Sequence, residues 1–98
     1  ITGDLLLSGL SSFYRDILIC KNKLSQQLLK LNETRIKMLI SLSDKISYDI
    51  LIEYINILNE AEINFQKSIN QRLLIELTVL KITSLKIDEL KKKNLNAS

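Results

Sequence analysis

The chain has 98 residues, a formal net charge of +3, no His, Trp or Pro, one Cys and two Gly. Without His there is no Ser-His-Asp or Cys-His nucleophile system; a lone Cys20 excludes an internal disulfide and a four-cysteine zinc site; Gly3 and Gly9 cannot build a phosphate-cradling loop. With 20 Leu and 15 Ile, what remains is one small domain with a core to bury and no self-contained catalytic apparatus.

The absence of Pro and the abundance of Leu, Ile, Lys and Glu favour helix throughout. Asp4 is a candidate cap for a first helix running to about Cys20. Leu6, Leu10, Phe13, Ile17 and Cys20 follow its 3-and-4 spacing, and Leu7, Tyr14 and Leu18 widen the stripe. Gly9 within this pattern costs helix stability, so a close helix approach is expected there. Lys21-Asn22-Lys23 breaks the period, and a short helical piece is expected over residues 25–31. Asn32 then reads as an N-cap for a helix to about Asp44, with Glu33 favourable in its first turn. The narrow apolar face of Ile36, Leu39, Ile40 and Leu42 suggests a peripheral element.

Ser47 is the next cap, with a helix to about Gln66 that is apolar around most of its circumference. Only Glu53, Asn56, Glu60 and Asn64 form a polar stripe. Asn70 caps the last long helix, predicted from Gln71 to about Lys91, where Leu73, Leu74, Ile75, Leu77, Val79, Leu80, Ile82, Leu85 and Ile87 again exceed one stripe. Helices apolar nearly all round are central to a domain or shared with a partner. The sequence thus predicts an all-α fold, a compact bundle of about four to five helices. Residues 1–85 form the domain, and 86–98 a Lys-rich, partly frayed end.

Charge follows the same division. Residues 1–85 hold ten Lys and Arg against nine Asp and Glu, whereas residues 86–98 hold four Lys against two acids. The basic character therefore reports the end of the chain, not a patch on the folded part. The longest apolar run, Ile17–Cys20, is far too short to span a bilayer. Ile1-Thr2-Gly3-Asp4 lacks a basic region before an apolar stretch, so no signal peptide is expected. One free Cys suits a reducing cytoplasm.

Each candidate for chemistry has a plainer use. Glu53, Glu60 and Glu62 are the one carboxylate cluster, but helical di-metal sites add Glu-x-x-His pairs that are missing here; a solvated stripe is expected. Lys86 and Lys91–Lys93 could meet phosphate as a nucleic-acid-binding module, the alternative reading of this chain, although a solubilising end is expected. Tyr14, Tyr48 and Tyr54 are not interleaved with Arg or Lys, which favours core or interface use. Cys20 falls in an apolar seam and is expected to be buried and inert. Ser11 and Ser12 have no base beside them.

Two segments carry a resemblance. Gly9-Leu10-Ser11-Ser12-Phe13-Tyr14-Arg15-Asp16-Ile17-Leu18-Ile19-Cys20-Lys21 is similar to the opening of the third domain of the bacterial DNA polymerase III gamma/tau subunit, where an aromatic-Arg-Asp-Leu-Leu stretch occupies the first helix. Leu58–Phe65 followed by Asn70-Gln71-Arg72-Leu73-Leu74-Ile75-Glu76-Leu77 resembles that family's Asn-x-Arg-Leu-x-x-Glu signature and the helix before it. Order and spacing agree over about residues 4–85. Gln71 departs from the Pro common in the family at this helix start, and Phe13 stands where some relatives place His.

The resemblance implies a helical collar domain of the clamp loader. Similar domains from gamma/tau copies, delta and delta-prime pack into a ring that holds the assembly while it loads the sliding clamp in DNA replication. The ATPase motifs of the preceding domains are absent here, so the expectation is a non-catalytic fragment without cofactor or metal. Its motif residues would be Arg15, Asp16, Asn70, Arg72, Leu73 and Glu76. Ile52, Ile63, Ile75, Val79 and Ile82 are the interface candidates on the two long helices. Its partners would be the other clamp-loader subunits in the cytoplasm, with weak self-association, no membrane and little direct contact with DNA.

Overall fold

The computed structural model describes residues 2–97, with side chains to residue 92. It is an all-α bundle. In chain order the described helices are α1 (Gly3–Ile19), α2 (Lys23–Gln26), α3 (Glu33–Lys45), α4 (Tyr48–Phe65) and α5 (Gln71–Ala97).

The starts of α3, α4 and α5 follow the side-chain oxygens in the sequence. Asn32 Oδ1 accepts from Arg35 N at 2.8 Å, Ser47 Oγ from Ile50 N at 3.3 Å, and Asn70 Oδ1 from Leu73 N at 3.0 Å. Each satisfies one of the amides that a first helical turn leaves without a partner. At α1 the expectation is corrected by two residues. Thr2, in extended conformation, occupies the cap position, and Asp4 sits in the first turn with Oδ1 accepting from Leu5 N at 3.0 Å. The short helix α2 covers Lys23–Gln26, not the predicted 25–31: it starts earlier because Asn22 Oδ1 accepts from Leu24 N at 2.8 Å, and residues 27–31 lie outside it. The last helix runs to Ala97, past the predicted end near Lys91. No Gly or Pro in this stretch stops it.

Two buried clusters hold the helices together. At one end Leu7 of α1 meets Leu58, Ala61 and Phe65 of α4, with Leu74, Ile75 and Ile82 of α5 packed against them. At the other end Ile17 and Cys20 meet Leu39 of α3 and Leu51 of α4. Tyr14 packs against both clusters, and its ring centroid lies 5.0 Å from that of buried Tyr54 in a tilted pair. The pairing of Leu7 with the end of α4 and Ile17 with its beginning makes α1 and α4 antiparallel. The α3 helix is not peripheral. Its Leu39 is fully buried, and buried Ser43 lies one turn further on.

Gly9 is not a close-approach site: a Cβ added there meets nothing within 4 Å. The close glycine is Gly3, against Phe65 and Ile75. Overall the bundle is a slab of 41 × 41 × 19 Å, about two helices thick. Its radius of gyration of 15.1 Å exceeds the ~13 Å of a typical compact domain of this length. The cause is α5, whose 27 residues extend about 40 Å at 1.5 Å per residue, well beyond its partner α4.

Candidate functional site

The two sequence segments singled out above pack onto each other. Arg15 projects from α1, where its guanidinium donates to Ser11 Oγ at 2.7 Å and stands 3.9 Å from Glu62 Oε1 on α4. Glu62 Oε1 is buried and, having no hydrogen bond of its own, depends on this cationic neighbour for compensation. Asp16 is half-buried, and its backbone carbonyl accepts from Cys20 N at 3.1 Å, closing the end of α1. Cys20 is buried, and burial, reinforced by the Asp16 charge, pushes its thiol above the ordinary value. A thiol held neutral and covered is a packing group, not a nucleophile.

Asn70, Arg72, Leu73 and Glu76 lie together on the first turns of α5. Arg72 Nε donates to Glu76 Oε1 at 3.1 Å across one helical turn, with both side chains largely in solvent. Gln71 makes a contact that a Pro at this position could not: its Nε2 donates to the Phe65 carbonyl at 3.0 Å and ties α5 to the end of α4. The motif residues on α1 and those on α5 therefore form two separate groups.

The carboxylates do not converge. Glu53 and Glu60 are exposed on α4, while Glu62 faces α1; among the described residues no group of Asp, Glu and Cys is arranged to hold a metal. The lysines do not converge either. Lys86, Lys91 and Lys92 are all exposed, but at 100° per residue they point to different sides of α5, with Asp88 and Glu89 between them. The side chain of Lys93 and those beyond it lie outside the described residues. No helix among the described residues is long and apolar enough to cross a membrane.

The outer face of α5 stands apart. Thr78 is the one buried residue among its described side chains, and its Oγ1 donates to the Leu74 carbonyl at 2.7 Å. Leu74, Ile75, Ile82 and Leu85 are half-buried against the rest of the bundle. On the opposite side Leu73, Leu77, Leu80 and Ile87 are each between 47% and 60% exposed. Their spacing of four, three and seven places them on one line along the helix. An open groove of about 390 Å³ separates this line from α4, with Glu53, Ile57, Leu77, Leu80 and Leu85 in its walls. A second groove of about 450 Å³ lies at the corner of α1, α4 and α5, walled by Leu6, Phe65 and Ile75 with Arg72 and Glu76 at its edge.

The predicted interface residues divide. Ile63 and Val79 are exposed, at 59% and 45%, and Ile52 is half-buried. Ile75 and Ile82 instead pack on the cluster around Leu58, because they fall on the α4 side of α5. The line through Leu77, Leu80 and Ile87 was legible as a second 3-and-4 register beside the core stripe.

No family model, curated protein or solved structure matches the chain.

Proposed function

We propose that this chain is an oligomerisation module of the clamp-loader collar type, non-catalytic in itself. It packs against equivalent domains of neighbouring subunits to hold the ring that loads the sliding clamp. The observation that carries an assembly role is the line of apolar side chains on α5, Leu73, Leu77, Leu80 and Ile87, that the bundle leaves in solvent. The chain exposes 7196 Å², against roughly 5,700 Å² for a folded monomer of its mass. The surplus of about 1,500 Å² reflects the open slab and the reach of α5 past α4.

The assignment to the clamp loader is supported by the two sequence segments. The partners on this reading are gamma/tau copies, delta and delta-prime in the bacterial cytoplasm, and no cofactor is required of this domain.

Co-purification tests it. The tagged chain should retain delta and delta-prime subunits of a bacterial clamp loader after a high-salt wash, since an apolar contact resists screening. Failure to retain either subunit, combined with DNA binding that weakens steeply with salt and is lost on deleting residues 86–98, would transfer the assignment to a nucleic-acid-binding module.

A further inference from the structure

We draw no further inference here: the strongest candidate, the cleft between the start of α1 and the end of α4 lined by Asp4, Ser8, Glu62 and Gln66, is a pair of carboxylates of which Glu62 already has Arg15 beside it, and nothing in the structure points to a ligand there.

Discussion

Gly3 packs against the far end of the Phe65 ring so closely that a methyl group there would stand 2.9 Å from Cε2 and 3.0 Å from Cζ, with Ile75 Cδ1 at 3.4 Å. Phe65 is buried at the end of α4, so the ring must shift if the site is filled. Gly3→Ala is expected to cost about 1 kcal/mol, the low end of overpacking, because helix propensity returns part of the loss. Gly9→Ala should do the opposite. Its Cβ enters open space within α1, so removing the backbone entropy of glycine should add about 0.5–1 kcal/mol. Urea denaturation followed by circular dichroism measures both, and equal signs for the two variants would contradict this packing.

Asn70 and the Arg72–Glu76 pair sit within two turns of one another but should differ in worth. Asn70→Ala removes the acceptor of Leu73 N and should cost about 1 kcal/mol, the usual value of a lost N-cap. The Arg72 and Glu76 side chains are 90% and 56% exposed, so water and salt screen their attraction. Glu76→Gln should change stability by less than about 0.5 kcal/mol, and less again in high salt. A large effect of Glu76→Gln on the melting temperature would mean that the pair does more than decorate the surface.

Leu39 decides what α3 contributes. It is fully buried against Ile17, Cys20 and Leu51, and Lys21 Nζ donates to the Ser43 carbonyl at 2.6 Å nearby. Leu39→Ala should therefore cost about 2–5 kcal/mol, enough to unfold much of a domain this small. Met38→Ala, one residue away and exposed, should be within about 0.5 kcal/mol of the wild type. Comparable losses from the two would return α3 to the peripheral role its narrow stripe suggested.

Much of the bundle was legible because its signals are local. Asn32, Ser47 and Asn70 mark helix starts through hydrogen bonds to amides three residues on, so the sequence contains both partners. Contacts between helices are not local. Nothing around Gly9 or Gly3 tells which of them faces Phe65, since that ring arrives from more than fifty residues away. The same limit explains Ile75 and Ile82. Both lie on an all-round apolar helix, and only the placement of α4 decides that they turn inward while Leu77 and Leu80 turn outward. The end of α5 was misplaced for another reason: polarity at Lys91–Asn94 is equally compatible with an exposed helix and with coil.

Three groups give the fold a pH dependence of known sign. Burial raises the Cys20 thiol above 9.0 and the Tyr14 and Tyr54 phenols above 10.0; Asp16 adds to the first, and Tyr14 and Glu89 add to the shift of Tyr54. All three are neutral when protonated, so the folded state holds these protons more tightly than the unfolded chain does. Their stabilisation is complete below the unfolded values and declines as pH rises through them toward the folded ones. The urea midpoint should therefore fall between pH 8 and pH 11, beginning near the ordinary thiol value of 9.0 and steepening past the ordinary phenol value of 10.0. Cys20→Ala should remove the first part of the decline and Tyr54→Phe some of the second. Iodoacetamide should modify Cys20 far more slowly in the folded chain than in urea, since the thiol is both covered and neutral. Rapid native alkylation, or a midpoint that rises with pH over this interval, would place Cys20 and the tyrosine pair outside the core.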